Sequence, residues 1–303
     1  MPKPNMLHIS SISRLHELAG FDKPSHPLIS IINVADWEIT EEMLELKMTS
    51  DLYSIGLKDK SCGLQYGRNH YDFDEGVMFF TSPNQVQSVE QTQKRNEVQG
   101  WMLFFHPDLI RNTDLGRNID NYRFFDYEVH EALHLSEAEQ ATITNCVKLI
   151  EQEVGERIDN HSQTVIASSL TLLLDLSQRY YARQFNTRSA QNNDLLSQFQ
   201  QLLNQYYQQG LLSESGVPSI DYFAERINLS ANYLSDVLKK ETGQHAKDHI
   251  NNFIIDKAKT LLLSEQNSIS EIAYSLGFNY PHYFSRLFKS KTGMTPQAYR
   301  QVD

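Results

Sequence analysis

Hydrophobic positions recur along this chain with two different periods, and the change between them divides it. From about His26 to Tyr127 they fall in short runs: Leu28–Val34, Leu52–Leu57, Val77–Thr81 and Gly100–Phe105. The runs are rich in Ile, Val, Phe and Tyr, and breaks such as KDKSCG and SPNQ separate them. Short strands without intervening helices predict an antiparallel barrel or jelly roll. The last run ends at His106-Pro107-Asp108, where proline stops ladder pairing. Beyond it the period turns helical. Ser136 with Glu139 three residues on makes a capping-box pattern, followed by the stripe Ile143, Val147, Ile150, Val154. A second helix spans about Ser162 to Phe185, with Ile166, Leu170, Leu173, Leu174, Leu176 and Tyr180. This stripe is wider than one neighbour needs, so it is either a dimer face or is buried against the barrel. Asn186–Asn193, NTRSAQNN, is polar and aperiodic and reads as a linker.

The remainder reads helical, and it contains a repeat. Ile220, Phe223, Ala224 and Ile227 return as Ile269, Ile272, Ala273 and Leu276. A short break follows in each copy, NLS and then GFN. A second amphipathic stretch comes next: Leu234, Val237, Leu238 in one copy, Phe284, Leu287, Phe288 in the other. Helix, tight turn, helix, with a small Ala at the crossing, is the helix-turn-helix pattern. A helix over Asp194–Tyr207 precedes the first copy. One from about Lys247 to Leu263 bridges the two, and a last one ends near Arg300. Seven helices are thus expected after the linker.

Charge refines this picture. The chain of 303 residues carries a net charge of −11, which looks wrong for a partner of DNA. From Leu196 to Asp303, however, ten basic residues balance ten acidic ones. All the excess acidity lies before that, and Leu276–Arg300 has no acid at all. Phosphate neutralisation depends on the local face, not on the chain average. The N-terminus lacks the apolar run of a signal peptide. The most apolar window, Ser169–Leu176, is short and contains Asp175, so no membrane span is expected. Two cysteines, Cys62 and Cys146, read as free thiols of a reducing cytoplasm.

The C-terminal third closely resembles the DNA-binding domain of the AraC/XylS family of bacterial transcription regulators. The segments that carry the resemblance are KKETG, DKAKTLLL, SISEIAYSLGF, YFSRLFKSKTG and TPQAYR, in family order and at family spacing. The N-terminal part is more loosely similar to the family's cupin-like sensor barrel followed by two helices. The resemblance implies an α+β chain. Residues 1–185 would be a cupin-like sensing and dimerising domain, 186–193 a linker, and 194–303 a double helix-turn-helix domain. It further implies a cytoplasmic, nucleoid-associated regulator, activator or repressor, that binds double-stranded promoter DNA as a homodimer. Its other partners would be a small-molecule effector and, for an activator, RNA polymerase. No cofactor and no membrane is implied.

In such a domain each repeat's second helix enters a major groove. The first would start after Ser230 as N-cap, with Ala231, Asn232, Ser235, Asp236 and Lys239 outward. The second would start after Asn279, likewise a cap, with Pro281, His282, Ser285, Arg286 and Lys289 outward. Arg286 suits bidentate contact with guanine, worth about 1–3 kcal/mol, and Asn232 suits adenine. Lys239, Lys240, Lys289 and Lys291 read as phosphate contacts or as ordinary solvated charges. Tyr283 and Phe284 read as core, with base-stacking the alternative. Two positions depart from the family pattern. Asp236 stands where many relatives have a basic or amide group, and Ile254 where many have Arg.

Metal chemistry is the alternative. His130-Glu131-Ala132-Leu133-His134 matches H-E-x-x-H, which on a helix holds zinc beside a general base. The match lies at a junction just before Ser136, and no third ligand is evident. A cupin oxygenase would need H-x-H, which occurs nowhere, although His70 and His106 are present. Tyr66, His70, Tyr71 and Phe73 are instead candidates to line an effector pocket, or are structural. A partner-binding module with degenerate repeats is the remaining reading.

Overall fold

The computed structural model describes residues 6–37, 47–59, 76–88, 100–128, 131–263 and 267–301. The chain divides into two compact units, Met1–Arg188 and Ser189–Asp303.

In the first unit, β2 (Ile29–Asn33), β4 (Tyr53–Asp59), β5 (Gly76–Thr81) and β7 (Gly100–Phe105) correspond to the four apolar runs. With β8 (Leu133–Leu135) they form an antiparallel sheet in the order β2-β7-β4-β5-β8. A smaller sheet takes β1 (Met6–Ile9), β3 (Lys47–Ser50) and β6 (Gln87–Ser88), with β1 and β3 parallel. The α+β class is thus observed; among the described residues the two sheets are not joined into one closed ring. A helix unforeseen in the sequence, α1 (Ile12–Ala19), buries Ile12, Leu15 and Ala19.

After the short α2 (Asp114–Asn118) come α3 (Glu137–Gly155) and α4 (Ser162–Thr187). Ser136 and Glu139 form the reciprocal capping box at the start of α3. Ile143, Val147 and Ile150 are buried, as are Ile166, Leu170, Leu173 and Leu174 of α4. Tyr181 of α4 stacks on Phe124 with ring centroids 5.4 Å apart, and Phe124 meets Phe80 of the sheet at 4.4 Å. Leu149, Val165 and Leu172 point to solvent, each 42% exposed or more.

The second unit is all helical: α5 (Ser189–Gln208), α6 (Leu211–Ser215), α7 (Ile220–Ile227), α8 (Ala231–Thr242), α9 (Ala246–Leu262), α10 (Ile269–Ser275), α11 (Pro281–Thr292) and α12 (Pro296–Arg300). The short α6 is additional to the seven expected. The stretch read as a linker, Asn186–Asn193, contains the boundary between the two units and is helical on either side of it, as the end of α4 and the first turn of α5. Its polarity is misleading, because Asn192 is buried and donates from Nδ2 to Glu241 Oε1 at 2.8 Å. A buried amide survives only when paired in this way.

One continuous core joins both repeats. Phe223, Leu234 and Leu238 of the first share it with Ile272, Phe284 and Phe288 of the second, and Ile250, Ile254 and Ala258 of α9 lie between them. Ile254, where the family pattern often has Arg, is fully sequestered in this cluster. Truncating Phe223 or Phe284 to Ala should cost about 3–5 kcal/mol.

Candidate nucleic-acid interface

The two turns are built alike. Leu229 N–H donates to Ala224 O at 3.0 Å, and Phe278 N–H donates to Ala273 O at the same distance. Ala224 and Ala273 are both buried, which lets the crossing helices approach. A left-handed residue opens each turn: Asn228 (φ 56) in the first and Gly277 (φ 86) in the second. At Gly277 glycine is required twice over. A Cβ there would lie 2.8 Å from both Gly216 C and Leu212 O, on the backbone just before the first repeat.

Helix starts differ between the repeats. Ser230 caps α8, its hydroxyl accepting from Tyr233 N–H at 3.1 Å. The expected cap Asn279 is not at the corresponding place in the second repeat. From the left-handed residue to the cap is one residue longer there, so Tyr280 is the N-cap and makes no side-chain cap bond. Pro281 at the first helical position lacks the N–H that would need capping.

Leu234, Val237 and Leu238 face inward in α8, as do Phe284 and Phe288 in α11, with Leu287 partly buried. On the outer side of α8, Lys239 and Lys240 are exposed, and Ala231, Asn232, Ser235 and Asp236 are half-buried. On α11, His282, Arg286 and Lys289 are exposed, Pro281 and Ser285 are half-buried, and Asn279 is exposed in the turn. Tyr283, read as core, is instead 47% exposed, and the preceding Tyr280 is 60% exposed. Phe284 fills the inward position, so its neighbour must turn outward. A helix counted from Pro281 would have revealed this in the sequence.

A family model described as a helix-turn-helix domain matches residues 223–302. The chain is 27% identical over 153 residues to the uncharacterized HTH-type transcriptional regulator YijO of Escherichia coli K12, covering half of each chain. It is 35% identical over 81 residues to the HTH-type transcriptional activator RhaS of Escherichia coli O139:H28, covering 27% of this chain and 29% of RhaS. Among solved structures, the C-terminal domain of the response regulator yesN from Fusobacterium nucleatum is 30% identical. That likeness covers 34% of this chain and 93% of the other, with a TM-score of 0.30. The C-terminal unit is an AraC-type helix-turn-helix domain. The chain spans about half the length of YijO and less of RhaS, so the match speaks for this domain.

Within the AraC-type domain the C-terminal ends of both outer helices are fastened to the first turns of α9. Thr242 Oγ1 at the end of α8 lies 2.7 Å from His249 Nε2. Lys291 Nζ at the end of α11 lies 2.7 Å from Asp248 Oδ1. The hydrogen bond from Lys291 holds the Asp248 carboxyl below the usual carboxylate range. Burial pushes the His249 imidazole below its ordinary value of 6.5, favouring its neutral form. Lys291, read from the sequence as a phosphate contact or a solvated charge, is therefore engaged within the domain.

In the N-terminal unit, Tyr66, His70, Tyr71 and Phe73 lie outside the described residues. So does His130 of the H-E-x-x-H match. Its other histidine, His134, sits in β8, where its N–H donates to Gln184 Oε1 at 2.7 Å. The described residues Leu133–Leu135 are extended rather than helical. His106 Nδ1 accepts from Asp108 N–H at 3.2 Å, a turn-capping role. A cleft does exist between the two sheets. Ile9, Leu15, Trp37, Met48, Leu52, Met102 and Phe104 line it with Thr49, Ser50, Ser54, Thr81, Ser82 and Gln85. The buried Trp37 Nε1 has no hydrogen-bond partner among the described residues. No helix among the described residues is long and apolar enough to cross a membrane.

Proposed function

We propose that the chain is a sequence-specific transcription regulator that binds promoter duplex through α8 and α11. The observation that carries this reading is the repeated turn. Two helix-turn-helix units with the same internal hydrogen bond share one core, and each presents a polar outer helix to solvent. Helices of this kind fit the major groove, which recurs about every 34 Å along the duplex. Arg286 contacts a guanine and Asn232 an adenine; Lys239, Lys240 and Lys289 engage phosphates. Ser230, Ala231, Ser235, Asp236, Asn279, Pro281, His282 and Ser285 complete the surface. Selection of bound duplexes from a random pool tests the reading directly.

The finer parts of the proposal concern residues 1–185. The cleft beside Trp37 takes a small, uncharged effector, since its described lining is apolar and hydroxyl-bearing with no ionisable group. The Trp37 N–H would donate to an acceptor on that ligand. Exposed Leu149, Val165 and Leu172 on α3 and α4 support a homodimer, because such residues are stabilised by removal from water. Effector binding would then alter promoter binding through differential affinity for two states of the chain. The protein acts in the cytoplasm at the nucleoid, touching RNA polymerase where it activates. Thermal shift against a library of neutral metabolites, repeated with Trp37→Phe, tests the cleft: loss of a shift on replacing the indole, with its N–H, by a phenyl ring supports it.

A further inference from the structure

Three aromatic side chains at the start of α11, with Arg286 beside them, form a cluster on the outside of the domain. His282 and Tyr283 rings lie 4.2 Å apart, and Tyr280 and Tyr283 lie 6.0 Å apart. The guanidinium carbon of Arg286 stands 5.2 Å from the Tyr283 ring centroid, one helical step of three residues away. Phe284 and Phe288, with Leu287, supply the core contacts of this helix, and Tyr283 is not part of that core cluster. Exposed tyrosines on a segment without acids, at the first turn of a helix proposed to enter a groove, offer a ring for apolar contact there. The major groove offers one apolar feature, the thymine methyl group.

We propose that Tyr283 is a specificity residue whose ring packs on the methyl group of a thymine next to the guanine contacted by Arg286. The inference rests on α11 being a DNA-reading helix. The cation held over the ring couples the two side chains, three residues apart on the same face of α11. The pair therefore reads two adjacent bases as a unit: guanine through paired hydrogen bonds to O6 and N7, thymine through its methyl group. Tyr283 also restrains Arg286 before binding, which lowers the ordering cost of the contact.

The test uses the full chain and a duplex recovered by selection. Each thymine is replaced in turn by deoxyuridine, which removes only the methyl group. Affinity is measured for the wild type, Tyr283→Phe and Tyr283→Ala. One replacement, beside the Arg286-dependent guanine, should weaken the wild type and Tyr283→Phe about fourfold, as expected for one buried methyl group. The same replacement should leave Tyr283→Ala unaffected. Insensitivity of every thymine beside that guanine overturns the proposal. So does equal sensitivity in Tyr283→Ala, or loss of sensitivity in Tyr283→Phe, which would assign the role to the hydroxyl. Recovery of no duplex, or a guanine preference unchanged by Arg286→Ala, overturns the DNA-reading assignment of α11 and this inference with it. A flat deoxyuridine scan alongside an intact Arg286 effect overturns this inference alone.

Discussion

Lys291 and Asp248 are joined at 2.7 Å, tying the last turn of α11 to the first turn of the helix that bridges the repeats. Both side chains remain partly exposed, at 26% and 41%. A pair of this kind contributes about 0.2–1 kcal/mol and weakens with salt. Its larger effect is on where the lysine charge is available. Lys291→Ala should barely alter the salt slope of duplex binding, whereas Lys289→Ala should lower it by about one. Asp248→Asn should release Lys291 and steepen the slope. Equal slopes for the two lysine variants would show that Lys291 leaves Asp248 for phosphate on binding.

Gly277 holds the second turn against the backbone at Leu212–Val217. With φ at +86° and a virtual Cβ 2.8 Å from two backbone atoms, Gly277→Ala meets both conformational strain and a clash. Strained positions cost of order 1–3 kcal/mol each. The helical transition of the full chain in urea should move to lower denaturant. An unchanged midpoint would mean that the second turn does not rest on the backbone at Leu212–Val217.

His249 predicts a pH dependence of known sign. Burial lowers its folded-state value, so the unfolded chain takes up the proton first as pH falls. Stability rises with pH wherever the unfolded state binds more protons. The contribution is complete above the ordinary value of 6.5 and is lost as pH falls from there toward the folded-state value. Asp248, with its value lowered, acts in the same direction in a more acidic window. Thermal unfolding followed between pH 5 and 8, a range chosen to bracket about 6.5, should show the loss, and His249→Gln should flatten it near neutrality. A wild-type curve already flat there would contradict the assignment.

Residues 189–303 should fold alone, since their core is drawn from within that segment. Cutting at 194 instead removes Asn192, whose amide is paired with Glu241, and should lower the melting temperature of the fragment. Equal melting of the two fragments would show that the first turn of α5 contributes nothing.

Much of this architecture is visible in the order of residues alone. The repeated Ile-Phe-Ala-Ile and Ile-Ile-Ala-Leu spacing locates both turns, because a buried stripe and a small crossing residue leave few alternatives. Ser136 and Ser230 announce their helix starts by capping chemistry. What stays hidden depends on tertiary contacts. Asn192 looks solvated until Glu241 is found opposite it. Lys291 looks free until Asp248, 43 positions away, is brought beside it. Tyr283 is a different case: it looks like core because aromatic residues usually are, although a helix counted from Pro281 already turns it outward. The short strands β1, β3, β6 and β8 lack the length for an alternating pattern and are defined by their partners.

The most direct measurement is selection of bound duplexes from a random pool by the full chain and by Arg286→Ala, compared at equal salt. The wild type should enrich a motif with at least one strongly preferred guanine. In Arg286→Ala that position should lose its preference and specific affinity should fall by about 1–3 kcal/mol. The absence of any enriched motif, or an identical motif from both proteins, would contradict the assignment of α11 as a reader of DNA.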